Sequence, residues 1–440
     1  MTCRNKSVCA FLLSAAFIGC GPTDYGRAPF RCSMGASDDA GTSTCPPNYR
    51  CVSNVCVRQG ESAPIVVSSR MASDDSAFQL IPRSSDAVLC WNRTGQSGSA
   101  AVEYAVLQQS GEYEISPRPL WTATDRSSVI NGATGACAAR GSDIVLGAIQ
   151  WTGPTAHQFT AYSVRLETAE LTALMPAVDT HFDQGLARFL PSGVGTDAWF
   201  VYARFPTELL DTRHVFERVV VGTDDMSHGA VTGISPTFQN QIVSSTETYG
   251  GDGGAWIYFG LGNGEAQITW LGAGDDITAA HLYASPPVPA GAYDAASPIA
   301  VHGNQLAIAY RLEAGTWQLF WVSPGGTTSD PMRFAPSTIV AGPRFRTATS
   351  LKRLGGVFDG DSLILATVPE DQPDNITLSR VQLGSDTLVP WRTFAKLSRI
   401  VPLRTALGIG GRSLYLAWSE PVPESGDIVY TALNATVLGL

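Results

Sequence analysis

From residue 63 onward, apolar runs of six to eight residues alternate with clusters of Gly, Asp, Asn, Pro and Ser, and helical periodicity is almost absent. The pattern predicts antiparallel strands joined by turns. One segment type recurs seven times, a turn followed by three or four apolar residues and usually an aromatic: "SDAVLCW", "SDIVLGA", "DAWFVYA", "GAWIYFG", "NQLAIAY", "DSLILAT" and "RSLYLAW". Aligned on the last strong position these fall at Trp91, Ala148, Tyr202, Phe259, Tyr310, Thr367 and Trp418, at intervals of 57, 54, 57, 51, 57 and 51 residues. Each copy is followed by a second run alternating in period two, among them "VEYAVL", "WQLFWV" and "IVYTAL".

In the recurring strand both faces are apolar. Leu89, Leu146, Phe200, Ile257, Ile308, Leu365 and Leu416 lie on one side, and Val88, Val145, Trp199, Trp256, Ala307, Ile364 and Tyr415 on the other. A strand of this kind is packed between two sheets. About 54 residues accommodate four strands of ordinary length with their turns, which is one blade, and radial stacking of seven blades buries both faces of each sheet. The expected fold class is therefore all-β, a seven-bladed β-propeller over residues 63–440. Only seven residues follow the last recognisable strand, Ile428 to Leu433, so the seventh blade lacks its outermost strand. The stretch "APIVVSS", Ala63 to Ser69, is expected to supply it and close the ring, removing the exposed edges.

The start of the chain follows different rules. Arg4 and Lys6 precede an apolar run from Val8 to Ile18, then Gly19 and Cys20, which is the pattern of an export signal. The run falls short of the roughly 20 apolar residues that span a bilayer, and Gly21 and Pro22 follow at once. The segment Phe17-Ile18-Gly19-Cys20 resembles the lipobox of bacterial lipoproteins, departing from it at Phe17 where that family has Leu. The resemblance implies removal of residues 1–19 as a lipoprotein signal peptide, lipidation of Cys20, and a bilayer as the partner of the acyl chains. Several acyl chains, at about 0.8 kcal/mol per buried methylene, make such an anchor stable. Gly21 in place of Asp implies sorting to the outer membrane or cell surface. Residues 20–31 then form a tether.

Of nine cysteines, Cys3 and Cys9 leave with the signal and Cys20 carries lipid, so six remain for disulfides in an oxidising compartment. Cys32, Cys45, Cys51 and Cys56 crowd into residues 32–60, which hold too few aliphatic residues to fold without bridges. Their spacings lack a C-x-x-C knuckle and argue against zinc. The run "CPPNYRCVSNVC" resembles small Cys-rich modules that follow the lipid cysteine in bacterial surface lipoproteins. Three pairings are open, and Cys32–Cys51 with Cys45–Cys56 is the one favoured. Cys90 and Cys137 fall on facing strands of neighbouring blades in the repeat alignment, where a bridge would contribute about 4 kcal/mol in the chain-entropy model. Two buried free thiols are the alternative.

The last repeat, "GRSLYLAWSEPVPESGDIVYTALN", resembles the sialidase-like repeats of secreted bacterial propellers, and implies architecture rather than activity. A near-match to the sialidase Asp box at Ser84, Asp86 and Trp91 has Val88 where Gly is required, and reads as a turn Asp before a core strand. The clusters "GTDDMSHG", "GAGDDI" and "FDGDS" lack calcium-loop spacing and read as hairpin turns. No H-E-x-x-H pair, G-x-S-x-G elbow or phosphate-cradling Gly loop occurs, so no cofactor, metal or catalytic residue is assigned. His181, Asp183, Arg344 and Arg346 are expected to precede or enter innermost strands and to face the central channel.

A formal net charge of −10 without a basic cluster excludes nucleic acid as a partner. The functional expectation is an exported, lipid-anchored protein whose propeller binds a carbohydrate or protein ligand or acts as a scaffold. The alternative is a polysaccharide-active hydrolase or lyase, which two carboxylates about 5 to 9 Å apart at the channel mouth would favour.

Overall fold

The recurring apolar strand forms where the repeat places it because a glycine turns the chain just before it. In six of seven repeats the turn carries a glycine at positive φ, from 56° at Gly141 to 74° at Gly253, a region that costs a residue with a Cβ. The first repeat makes the same turn with Ser84 and Ser85, where Arg83 Nε donates to the Asp86 carboxylate at 2.5 Å and the Arg83 amide donates to the Asp86 carbonyl. The computed structural model describes residues 49–52, 55–58, 64–71, 78–94, 100–122, 133–151, 157–175, 178–179, 188–204, 215–222, 226–231, 243–261, 266–272, 296–313, 315–324, 338–396, 398–422 and 430–440. No helix occurs among them.

Seven blade sheets, each antiparallel among its own strands, follow one another along the chain. Their first strands are Phe78–Pro82, Ala133–Arg140, Ser192–Val194, Val243–Gly251, Ala296–His302, Gly356–Asp359 and Arg404–Gly410, in blades 1 to 7. The recurring apolar strand is the second of each blade, for example Asp86–Thr94 in blade 1 and Ser413–Val422 in blade 7. Hydrogen-bonded on both edges and packed on both faces, it holds six of the seven aligned positions below 5% exposure, from Trp91 at 0% to Tyr310 at 4%. Trp91 and Trp418, at equivalent places in their repeats, also satisfy their indole N–H groups alike. Trp91 donates to Glu103 at 3.2 Å and Trp418 to Glu420 at 2.9 Å.

The ring closes as expected from the sequence. Ile65–Met71 lies antiparallel against Tyr430–Gly439 as the fourth strand of blade 7, with Ile65 opposite Ala435 and Ser68 opposite Leu433. Val67, 4% exposed, joins a cluster with Leu433, Ala435 and Val437 that continues into Phe78, Leu89 and Trp91 of blade 1. Blades 1 and 2 share a further cluster, and within it Cys90 and Cys137 form a disulfide with a Cα–Cα distance of 6.2 Å. Replacing both cysteines by Ala is expected to cost about 4 kcal/mol, from the entropy of a loop this long. Urea unfolding of the variant checks this, and an unchanged midpoint would show that the bridge adds nothing.

Cys20, Cys32 and Cys45 lie outside the described residues. Cys51 and Cys56 sit opposite one another in a two-stranded ladder, Tyr49–Val52 with Val55–Arg58. The pairing of Cys32 with Cys51 and of Cys45 with Cys56 falls outside what is described.

Two buried polar groups bear on stability. Lys396, fully buried, meets Glu420 at 2.8 Å and donates to the Ile400 carbonyl at 2.6 Å, fastening blade 6 to blade 7. Burial pulls its pKa down, against the opposing pull of Glu420. Tyr415 is the reverse case, since its hydroxyl is buried without a partner. Burial, with the Asp86 carboxylate adding and Arg83 opposing, pushes its pKa up to about 12. Between pH 10 and 12 the folded phenol keeps a proton that the unfolded chain releases, so stability falls as pH rises. Tyr415→Phe is expected to be neutral or up to ~1 kcal/mol stabilising at pH 7. It should also remove roughly 1.4 kcal/mol of the loss by pH 11. Urea midpoints at pH 7 and pH 11 decide; a variant as alkali-sensitive as the parent would refute it.

Candidate functional site

The first strands of a propeller converge on its axis, and here two of them have their inner edges covered by the chain leading into the blade before. Arg188–Leu190, just ahead of the first strand of blade 3, runs parallel to the first strand of blade 4, with Leu190 opposite Glu247. The segment ahead of blade 6 does the same to blade 7. The Lys352 and Arg353 amides donate to the Leu403 carbonyl, the Thr405 amide donates to the Arg353 carbonyl, and Arg353 and Arg404 form a parallel bridge. Side-chain hydroxyls take up the remaining amides: Ser297 Oγ accepts from Leu354 and Thr405 Oγ1 from Gly355, at 2.9 and 2.8 Å. Gly355 is required there, because a Cβ would lie 2.6 Å from the Thr405 backbone.

These segments narrow the axis to a concave cavity of about 380 Å³, lined by residues of blades 1, 3, 4, 5, 6 and 7. That volume lies within the range of small-molecule sites. Its walls are mostly backbone and aliphatic side chains, and its polar side chains are few: Gln79, Ser192, Glu247, Thr248, Tyr249, Arg353, Arg404 and Thr405.

Three of these form a cluster. Arg353 Nη2 lies 3.1 Å from Glu247 Oε1, and Arg353 Nη1 donates to the Tyr258 hydroxyl at 3.0 Å and to the Ala296 carbonyl. The guanidinium also stacks over the Tyr258 ring at 4.7 Å. Tyr249 donates to the other Glu247 oxygen at 2.6 Å. Burial works against the charge on Arg353, but Glu247, Tyr258 and Tyr249 together hold its pKa above the ordinary arginine value. Burial first, and Glu247 next, push the Tyr249 phenol well above its usual range, with Arg404 and Arg353 opposing. At neutral pH the cluster is therefore an Arg–Glu ion pair capped by a protonated tyrosine, a rigid hydrogen-bonded wall.

Arg404 and Gln79 are placed differently. Arg404 lies over the Phe78 ring at 5.3 Å and pairs with no carboxylate among the described residues. Gln79 is 8% exposed, and its Nε2 has no hydrogen-bond partner. Thr248, 5% exposed on blade 4, has an unpartnered Oγ1. Among the lining residues Glu247 is the one carboxylate, so the cavity holds no acid pair. Nor do the described residues gather three metal-ligating groups.

The chain matches no family model and no curated protein sequence. It is similar in structure to polysaccharide lyase Uly1, with 11% identity over 94% of this chain and 98% of that one and a TM-score of 0.45. It is also similar to the SapL1 lectin solved with alpha methyl fucoside, with 10% identity over 76% of this chain and 99% of that one and a TM-score of 0.40. A third similar structure is Trypanosoma rangeli sialidase, with 9% identity over 88% of this chain and 57% of that one and a TM-score of 0.42.

Of the residues expected to face the channel, the two that are described, Arg344 and Arg346, stand away from its wall. Arg344 and Arg346 stand on Thr338–Arg346, the outermost strand of blade 5, where Arg344 Nε donates to Gln318 at 2.8 Å. The expectation failed because fourteen residues separate the third and fourth strands of that blade, which delays the fourth strand into the stretch where a first strand was expected. His181 and Asp183 lie outside the described residues. A repeat-phase signal does point at the axis, since Arg188, Arg353 and Arg404 each stand twelve residues before the centre of a recurring strand, at Phe200, Leu365 and Leu416. Nothing in the sequence marks Glu247, Tyr249 or Gln79.

Proposed function

We propose that this chain is an exported lipoprotein, anchored through Cys20, whose propeller is a binding module that takes a small polar ligand of the carbohydrate class in its central cavity. The observation that carries the reading is a concave cavity of about 380 Å³ at the ring axis, its largely apolar wall carrying a few polar side chains, among them Ser192, Thr405 and the unpaired Arg404. A concave site with apolar walls and a few polar groups is where a small ligand is oriented by hydrogen bonds at little reorganisation cost. The cavity has room for one or two sugar rings. A two-carboxylate hydrolase is the weaker reading, since Glu247 is engaged by Arg353 and Tyr249 and has no second acid beside it in the wall.

Two measurements test the proposal. Labelling with a fatty acid in a bacterial host should mark the chain and fail with Cys20→Ser; label retained in that variant would remove the anchor. Calorimetric titration of the full chain with a panel of mono- and oligosaccharides should find one-to-one binding without turnover. Release of reducing ends or unsaturated product would replace the binding module with an enzyme.

A further inference from the structure

The short ladder ahead of the propeller has a register that bears on its cysteines. Tyr49–Val52 and Val55–Arg58 pair antiparallel and, among the described residues, form a two-stranded sheet of their own. Ser53 and Asn54 separate the strands in the sequence, so Val52 and Val55 are the closing pair of a hairpin with a two-residue turn. In such a hairpin the closing pair exchanges backbone hydrogen bonds, and successive pairs then alternate between non-hydrogen-bonded and hydrogen-bonded. Cys51 and Cys56, directly opposite one another one step out, are therefore a non-hydrogen-bonded pair. At such a rung the strands come closest, with Cα atoms about 4.5 Å apart.

A disulfide spans Cα separations of about 4.4 to 6.8 Å, so a bridge across this rung needs no movement of the backbone. The hairpin also needs one, because two strands alone are at best marginally stable in water and no third strand joins them among the described residues. We propose that Cys51 and Cys56 are bonded to each other, a covalent staple inside the hairpin, in place of the crossed pairing with Cys32 and Cys45 expected from the sequence. The crossed pairing would set two separate bridges side by side on one rung, each cysteine passing over its register partner for one elsewhere in the chain. The staple rests on the export proposed above. Each cysteine gives up one proton and one electron, and a disulfide-bearing oxidant of the oxidising compartment takes up both and is reduced to a dithiol.

The positions of the arginines make the pairing readable by mass. Trypsin cuts after Arg31, Arg50 and Arg58, with no Lys or other Arg between them, so Cys32 and Cys45 leave on peptide 32–50 and Cys51 and Cys56 on peptide 51–58. The full chain is expressed in a bacterial host, purified without reductant, unfolded in N-ethylmaleimide at mildly acidic pH to cap free thiols, digested and weighed. Peptide 51–58 is expected by itself, uncapped, and lighter by two hydrogen atoms than its reduced form. Peptides 32–50 and 51–58 recovered as one linked species would overturn the staple and leave export standing. Peptide 51–58 capped at both cysteines would also overturn it. In that case a Cys90–Cys137 bridge in the same digest would keep export, and capping of Cys90 and Cys137 as well would remove both. Cys56→Ser should free Cys51 for capping and leave peptide 32–50 as in the parent; a new cap on peptide 32–50, with Cys51 still bonded, would overturn the staple.

Discussion

Arg353→Met is expected to lower the free energy of unfolding by about 3 kcal/mol, because it strands a carboxylate where water does not reach it. Glu247 has a side-chain exposure of 5% and loses its charge partner, while still accepting from the Tyr249 hydroxyl, once the guanidinium is gone. The loss is placed at the low end of the range for broken buried pairs since the Arg353 side chain is itself 21% exposed. Its other contacts add to the effect, because the Ala296 carbonyl and the Tyr258 hydroxyl each lose the hydrogen bond that Arg353 donates. Adding Glu247→Gln should recover most of the loss, since the amide oxygen still accepts from Tyr249 and no charge remains to be buried. Urea unfolding of the two single variants and the double variant forms a cycle that reads the pair directly. If the double variant is as unstable as the sum of the singles, the ion pair is not what holds the axis together.

A chain beginning at Ala72 should lose ring closure. It lacks Ile65–Met71, so Tyr430–Gly439 becomes an edge strand with unpaired amides and carbonyls, and the cluster around Leu433, Ala435 and Val437 loses Val67. The expected cost is roughly 2 to 4 kcal/mol, from burial of one large aliphatic residue and the ladder it brings. The exposed edge also invites pairing between chains, so the truncated protein should run as oligomers or aggregates in size exclusion at concentrations where the full chain runs as a discrete species. Returning residues 64–71 as a synthetic peptide should restore part of the stability. A truncated chain with the parent's melting temperature would show that the ring holds without its closing strand.

The seven second strands were legible because each is buried on both faces, and two-sided burial leaves a signature no turn or loop can imitate. Trp91, Tyr202, Phe259 and Trp418 mark them at intervals that vary by only a few residues. Ring closure was legible for a different reason: a strand-like run with no repeat of its own stands at Ala63, ahead of the first blade. The Cys90–Cys137 bridge followed from the repeat alignment, since both positions fall on strands that the repeat brings face to face.

What tertiary structure alone decided is the axis. First strands carry no strong apolar alternation, and two of them are also short. Ser192–Val194 and Gly356–Asp359 have three and four residues, too few for a periodicity to register. The long third-to-fourth connection of blade 5 then moved Arg344 and Arg346 to the rim. Arg353 meets Tyr258 across 95 residues of chain, and the two are brought together only when blades 4, 5 and 6 take their places in the ring. Periodicity reports which face of a strand is buried; which strands meet at the centre, and with what charge, depends on closure of the whole ring.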